Sequence, residues 1–178
     1  MYFGGIWGGQ LQRWRNGVFN PNNPTSPTAF LPNDDEPALL PLIAKMSDDL
    51  LEFAEKPREV KILDEKGKLL LAGDNERRFF EAAWVHKYNG KYYFSYSTGD
   101  THFICYAIGD NPYGPFTYKG KILNPVVGWT SHHSICEFKG KWYLFYHDSS
   151  LSKGVTHLRS IKIAEIQYDK DGLIRTLE

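Results

Sequence analysis

A repeat with a period of 50 residues constrains the fold of this chain more than any other feature of its sequence. Residues 89–96 (NGKYYFSY) return as residues 139–146 (KGKWYLFY). Residues 83–88, which precede the first copy, align at the same offset with residues 133–138. Each copy therefore reads as a strand, a glycine-containing turn and an aromatic strand, which together make a β-hairpin.

Two further strand candidates lie between the two copies, at residues 103–108 and 116–122, separated by a Pro- and Gly-rich turn. Four strands in about 50 residues are the size of one β-propeller blade. The sequence therefore predicts an all-β fold, a partial β-propeller. Its 178 residues would supply about three to three and a half blades, whereas closed propellers typically have four to eight.

We expect residues 1–178 to form a single, incomplete propeller domain that lacks its N-terminal blade and part of the second. The first residues, MYFGG, resemble the end of an aromatic strand and its exit turn, with no partner strand before them. Residues 20–41 contain six prolines among Asn, Ser, Thr and Asp. Since proline interrupts strand ladders, this segment is predicted to be a long surface loop.

Charge and composition exclude several classes of partner. Lys and Arg number 21 and Asp and Glu also number 21, so nothing points to nucleic acid or to an anionic membrane surface. No apolar run approaches the roughly 20 residues of a membrane span. Aromatic residues make up 15% of the chain and suit the C–H faces of sugars, although they can equally fill a core. Cys105 and Cys136 lie in apolar segments, where we expect buried thiols.

Glu81 is the strongest candidate for a catalytic group. It is the only carboxylate in the apolar stretch 79–84, at the start of the blade's innermost predicted strand. An apolar setting raises the pKa of a carboxyl group and keeps a proton available near neutral pH, as a general acid requires. The alternative is a structural glutamate paired with Arg77 or Arg78 at the rim of the blade.

His132 and His133 occupy the corresponding region of the next blade. At the 50-residue offset Glu81 matches Ser131, so these groups should approach the same central channel from neighbouring blades. Adjacent strand residues face opposite ways, so only one of the two imidazoles would point inward. An inward histidine could serve as a ligand or as a hydrogen-bonded core residue, and we take His133 as a candidate substrate contact.

Three other side chains are candidate substrate contacts. Trp7 and Trp129 lie in predicted loops beside strand ends, where each could stack on a sugar or pack against a neighbouring blade. Arg159 interrupts the apolar stretch 158–161, so we expect it to be buried. A buried guanidinium requires an anion or several acceptors, which a cluster of sugar hydroxyls or a structural carboxylate could provide.

Five motifs together resemble glycoside hydrolase family 43. They are residues 80–82 (FEA), 92–96 (YYFSY), 111–116 (NPYGPF), 128–134 (GWTSHHS) and 140–148 (GKWYLFYHD). The resemblance implies a five-bladed propeller from a family that includes β-xylosidases, α-L-arabinofuranosidases and arabinanases. These enzymes act with inversion on plant cell-wall polysaccharides and their fragments. The expected ligand is thus a neutral pentose oligosaccharide or polysaccharide.

The resemblance also assigns roles to residues. The family uses an Asp general base from its first blade, an Asp that tunes the acid from its second and a Glu general acid from its third, and Glu81 falls on the acid motif. His132 is similar to a channel histidine that in many members helps to hold a calcium ion whose other ligands are largely water. Arg159 resembles an arginine that contacts the sugar.

Both aspartates would lie upstream of residue 1. An inverting glycosidase needs an acid and a base about 6.5–9.5 Å apart, so we expect this chain alone to be inactive or nearly so. The missing blades, or a second copy of the chain, would complete the site. The alternative from another functional class is a non-catalytic carbohydrate-binding or scaffold propeller.

Overall fold

The computed structural model describes residues 1–15, 18–24, 26, 29–129 and 131–178. Apart from two short 3-10 helices, Trp7–Gly9 and Leu11–Arg13, its regular elements are strands. The strands are β1 Tyr2–Phe3, β2 Trp14–Arg15, β3 Val18–Phe19, β4 Leu42–Ile43, β5 Arg58–Glu59, β6 Ile62–Leu63, β7 Glu81–Tyr88, β8 Lys91–Ser97, β9 Ile104–Gly109, β10 Phe116–Leu123, β11 His133–Phe138, β12 Lys141–Asp148 and β13 Ser160–Ile166. No helix in the described part of the chain is long and apolar enough to cross a membrane.

The central sheet is a complete propeller blade. Strands β7 to β10 form an antiparallel meander, and β6 adds a parallel strand beside β10. Residues 89 and 90 join β7 to β8 with positive φ at both positions, the geometry of a tight type I′ hairpin turn. Residues 139 and 140 repeat this geometry between β11 and β12. The predicted all-β fold and partial propeller are confirmed.

Incomplete sheets flank this blade on both sides. On one side β1, β4 and β5 pair antiparallel, and on the other β11, β12 and β13 do so. Strands β2 and β3 form a separate two-stranded ribbon. In the segment 20–41, residues 25, 27 and 28 lie outside the described residues, and the described ones form no strand apart from an isolated bridge between Pro37 and Leu71.

Two apolar clusters hold the sheets together. The first joins the central blade to the β1–β4–β5 side and includes the buried side chains of Leu42, Ile62 and Phe94. The second lies between the central blade and the β11–β13 sheet and includes Leu144 and Ile166. Each sheet therefore buries one face against its neighbour, as propeller blades do.

The chain's last residues run back over the central blade. The Tyr93 hydroxyl donates a hydrogen bond to the Gly172 carbonyl at 2.7 Å, and the Ile174 amide donates to the Tyr106 hydroxyl at 2.9 Å. The Leu177 amide then donates to the Ile122 carbonyl at 2.7 Å. Residues 168–177, which we call the C-terminal strap, thus tie the end of the chain to β8, β9 and β10.

The two cysteines differ in burial. Cys105 is buried, and this burial raises the pKa of its thiol to about 12. Cys136 is exposed, so the prediction that both thiols are buried was wrong for Cys136. Strand alternation explains the difference, because Ile135 turns toward the core and its neighbour on β11 must turn away.

His86 lies in an aromatic cluster between the central blade and the β11–β13 sheet. Its Nε2 is hydrogen-bonded to the Tyr168 hydroxyl at 2.7 Å, and its ring packs near those of Tyr93 and Trp142. Burial lowers the pKa of His86 to about 4, because the cationic form would lose its hydration. The folded protein therefore holds this imidazole neutral.

We predict that acid destabilises the fold through His86. Between pH 6.5 and about 4 the unfolded chain binds a proton at this side chain and the folded chain does not, so the free energy of unfolding falls as pH falls. This contribution to the free energy of unfolding is fully present above pH 6.5 and is lost as pH falls to about 4. It amounts to on the order of 3 kcal/mol. Urea unfolding of the wild type and His86→Gln across this range would measure it. Equal pH dependence in both proteins would contradict the prediction.

We also predict a large cost for Gly99→Ala. Gly99 has φ +80°, and an added Cβ would lie 2.4 Å from the Phe80 ring. Gly90 has φ +78° with nothing within 4 Å, so Gly90→Ala isolates the cost of backbone strain, about 1–2 kcal/mol. Gly99→Ala should cost a further 1–3 kcal/mol because the core must rearrange. Thermal unfolding of the two variants provides the measurement, and equal costs would argue against the prediction.

Candidate active site

Glu81 begins β7 at an irregular point of the sheet. Glu81 pairs with Ser97 on β8, but the next pair along the strand is Trp84 with Ser95, so β7 carries an extra residue. Ala82 adopts φ +62° inside this bulge. A bulge bends its strand and redirects side chains, and non-glycine residues with positive φ concentrate at functional sites. The bulge therefore sets the direction of the Glu81 side chain.

The backbone around Glu81 is held from two sides. The Phe80 amide donates to the Ser97 carbonyl at 3.0 Å, and the Ile6 amide donates to the Phe80 carbonyl at 2.9 Å. Trp7 then packs edge-on against the Phe80 ring, with 5.4 Å between centroids. The N-terminal segment and β8 together fix the strand end that carries the carboxylate.

The two rim arginines are engaged elsewhere. Arg77 forms ion pairs with Asp74 at 2.7 Å and Glu65 at 3.2 Å. Arg78 donates from Nε to the Ala72 carbonyl and from Nη2 to Asn75. These contacts supply both arginines with acceptors from the chain segment before β7, although Arg78 Nη1 is buried without a hydrogen-bond partner among the described residues.

Glu81 and His132 come together from adjacent blades, as the repeat predicts. The His132 Nε2 lies 3.5 Å from the Glu81 Oε1, an ion pair whenever the imidazole is protonated. The Glu81 side chain is 25% exposed and the His132 side chain is 57% exposed. The Glu81 carboxylate is therefore largely enclosed, with part of its surface accessible and the His132 imidazole beside it. The acid role of Glu81 remains a prediction.

His147 is a member of this group that sequence reasoning missed. Its Nε2 accepts hydrogen bonds from the His132 backbone amide at 3.1 Å and from the Arg159 Nη1 at 3.3 Å. Burial, with the Arg159 and His132 charges, lowers the pKa of His147. The repeat could have identified it, since His147 stands 50 residues after Ser97, the partner of Glu81.

Arg159 reaches the same group, although the expectation that it is buried was wrong. It is exposed and immediately precedes β13, in a segment whose apolar side chains are also exposed. Its Nε donates to the Thr156 carbonyl at 2.9 Å and its Nη1 to His147. Because it lies just before the strand, Arg159 is not drawn into the core by strand alternation.

His133 lies between blades. Its Nε2 and the Ser95 hydroxyl are hydrogen-bonded at 2.6 Å, which joins β11 to β8. Burial lowers the pKa of His133 to about 3, and the nearby His132 and His86 contribute. This geometry matches the alternative of a hydrogen-bonded core histidine, while a substrate contact for His133 remains a prediction.

The two candidate tryptophans differ in accessibility. Trp129 is 44% exposed and meets the His102 ring edge-to-face, with 5.3 Å between centroids. Trp7 is half-buried on Phe80 and has φ +68°. Trp129 therefore presents aromatic surface to solvent near the loop that leads to His132, whereas Trp7 packs against Phe80, the residue before Glu81.

The described residues do not form a calcium site by themselves. Among them no group of three or more His, Cys, Asp or Glu side chains could hold a metal ion. His132 has the Glu81 carboxylate beside it, whereas Ca²⁺ takes six to eight oxygen ligands. One imidazole and one carboxylate do not meet that requirement, so no step proposed below depends on a metal ion.

Comparison with known proteins relates this chain to carbohydrate-active enzymes. A sequence model of glycosyl hydrolases family 43 matches residues 40–174. A xylosidase/arabinosidase of Bacteroides ovatus is 65% identical over 178 residues, which is 100% of this chain and 53% of the relative. A β-xylosidase of Xylanibacter ruminicola is 59% identical over 178 residues, covering 100% of this chain and 54% of the relative.

A solved structure resembles the whole fold. It is CoXyl43, a GH43 β-xylosidase/α-arabinofuranosidase from a compost microbial metagenome, in complex with xylotriose and in a calcium-free form. The TM-score is 0.93 at 66% identity, over 99% of this chain and 53% of the other. The chain thus spans about half the length of the curated relatives it matches.

Proposed function

Because the chain belongs to glycosyl hydrolases family 43, we propose that it carries the general-acid half of a site that hydrolyses neutral pentose oligosaccharides, as a β-xylosidase or an α-L-arabinofuranosidase. The observation that carries this proposal is the approach of Glu81 and His132 across two blades at 3.5 Å. The names of the relatives and the xylotriose complex of the similar structure support the choice of substrate class.

Glu81 would act by donating a proton to the leaving glycosidic oxygen. Its fixed direction at the bulge, its partial enclosure and its remaining accessible surface are what a general acid needs. An inverting reaction also needs a carboxylate base on the opposite face of the sugar, about 6.5–9.5 Å from the acid. We place that base, and the aspartate that tunes Glu81, in the part of the protein outside this chain.

Substrate contacts would come from the surrounding loops. Exposed Trp129 provides a flat aromatic face for a sugar ring, and Arg159 provides guanidinium donors for sugar hydroxyls. We also retain Trp7 and His133 as proposed substrate contacts, although the packing of Trp7 on Phe80 and the position of His133 between blades favour supporting roles. A neutral ligand agrees with the chain's zero net charge.

The outer face of the β11–β13 sheet is the proposed seat of the missing part. Ile161 and Ile163 on β13 are 79% and 61% exposed, while Ile166 turns into the core. Phe138 on β11 is exposed as well. An exposed apolar sheet face of this kind marks an interaction surface. The relatives are about twice as long as this chain, and we propose that this face packs against the portion corresponding to their N-terminal half.

The acid role predicts a substrate-dependent loss of activity in Glu81→Gln. We would fuse the N-terminal portion of the Bacteroides ovatus relative to this chain and assay xylobiose and p-nitrophenyl β-D-xylopyranoside. Glu81→Gln should lower kcat/KM for xylobiose by about 10²–10⁴-fold. The nitrophenyl substrate should lose much less, because its leaving group departs without a proton. The chain without the added portion should show no turnover.

Glu137→Gln, at an exposed glutamate on β11, is the matched control and should retain full activity. Equal losses on both substrates, or none, would count against Glu81 as the acid. Sugar binding by the fusion without any hydrolysis would favour a non-catalytic carbohydrate-binding propeller instead.

If the outer face of the β11–β13 sheet binds the N-terminal portion, a charged side chain introduced on that face should weaken the association. Ile161→Asp and Ile163→Asp should each reduce at least tenfold the affinity of this chain for the separately produced N-terminal portion, because a buried unpaired carboxylate is costly. Val18→Asp places the same change at an exposed apolar position on the β2–β3 ribbon and should leave affinity unchanged. Calorimetric titration measures all three. Sedimentation showing self-association through these isoleucines would instead identify a second copy as the occupant.

A further inference from the structure

We propose that His147 is a positioning residue that holds Arg159 and the His132 backbone beside Glu81, and that it acts on substrate binding rather than on proton transfer. This inference rests on the proposed function and adds a residue to that site. His147 lies near the end of β12, one residue before Asp148, where the strand leads into the loop that carries Arg159.

The hydrogen bonds determine the tautomer of His147. A backbone amide and a guanidinium can only donate, and both point to Nε2 of His147. Nε2 must therefore be unprotonated and must share its lone pair between the two donors, so the ring proton resides on Nδ1. In any other state of this imidazole an N–H would face two N–H donors.

The backbone of His147 is fixed as firmly as its ring. Its amide donates to the Ser131 hydroxyl at 3.1 Å, and the same hydroxyl donates to the His147 carbonyl at 2.9 Å. Ser131 is buried and immediately precedes His132. His147 thus hydrogen-bonds to the segment 131–132 through both its ring and its backbone, and that segment places the His132 ring beside Glu81.

Arg159 gains a defined position from His147. Its guanidinium is exposed, and its other hydrogen bond to a described residue runs from Nε to the Thr156 carbonyl within the same loop. The His147 contact is what links it to the β11–β12 hairpin and so to the neighbourhood of Glu81. Without this acceptor a long exposed side chain would sample many rotamers, and each hydrogen bond to a sugar hydroxyl would cost more entropy.

The test uses the fusion described above, with xylobiose as the probe. His147→Ala should raise KM about five- to tenfold and leave kcat within about twofold, because an interaction made equally with substrate and transition state is lost. His147→Gln, whose amide oxygen can accept near the position of Nε2, should recover most of the affinity. His157→Ala, at an exposed histidine in the same loop, should change neither constant.

A double-mutant cycle separates positioning from a general structural effect. If His147 acts through Arg159, the effect of His147→Ala on KM should be smaller in the Arg159→Ala background, where only the part carried by the His132 backbone remains. Full additivity, or a loss confined to kcat, would overturn the proposal. Calorimetric binding of xylobiose to the same variants on a Glu81→Gln background gives this comparison without turnover.

A further measurement distinguishes failure of this inference from failure of the proposed function. Long-range ¹H–¹⁵N spectra of the fusion report which ring nitrogen of His147 carries the proton. A protonated Nε2 would overturn the His147 assignment whatever the activity. A fusion that neither binds nor cleaves xylobiose and does not cleave p-nitrophenyl α-L-arabinofuranoside, with Nε2 unprotonated, would overturn the proposed function. The substrate role of His147 would fall with it, and only its hydrogen bonds to Arg159 and His132 would stand.

Discussion

The contact between the central blade and the β11–β13 sheet determines everything else about the site. Among the described residues two hydrogen bonds span it: Trp84 Nε1 donates to the Ile135 carbonyl at 3.1 Å, and the Ser95 hydroxyl is hydrogen-bonded to His133 Nε2 at 2.6 Å. Both join groups that would be costly to leave unpaired, so they specify one relative placement of the two sheets. Glu81 and His132 stand at the ends of the strands that these bonds align, and their separation follows from that alignment.

Much of this arrangement can be predicted from the sequence because the information is periodic. The 50-residue offset places β7 over β11 and β8 over β12, and the glycine turns at 89–90 and 139–140 fix both hairpins. The same offset matches Glu81 with Ser131, the residue before His132, and so brings Glu81 and His132 to neighbouring positions in adjacent blades. Applied to Ser97, it would also have identified His147.

The remaining features depend on local conformation that periodicity does not encode. No residue type announced the bulge at Ala82, since alanine seldom adopts positive φ and the pairing of β7 with β8 imposes it. Arg159 and Cys136 were expected to be buried because their neighbours are apolar. Cys136 lies on the outer face of β11 and Arg159 lies in the loop before β13, and no described sheet covers either position. Apolar composition alone does not say which face is covered.

The C-terminal strap has a consequence for how the fold forms. Residues 168–177 hydrogen-bond to side chains and backbone on β8, β9 and β10, about 55 to 80 positions earlier in the chain. Tyr93, Tyr106 and the Ile122 carbonyl therefore take their native hydrogen-bond partners from a segment that follows β13 in the chain. Although blades are modular in sequence, the central blade and the β11–β13 sheet are coupled into one cooperative unit, and this high contact order favours slow, all-or-none formation over blade-by-blade assembly.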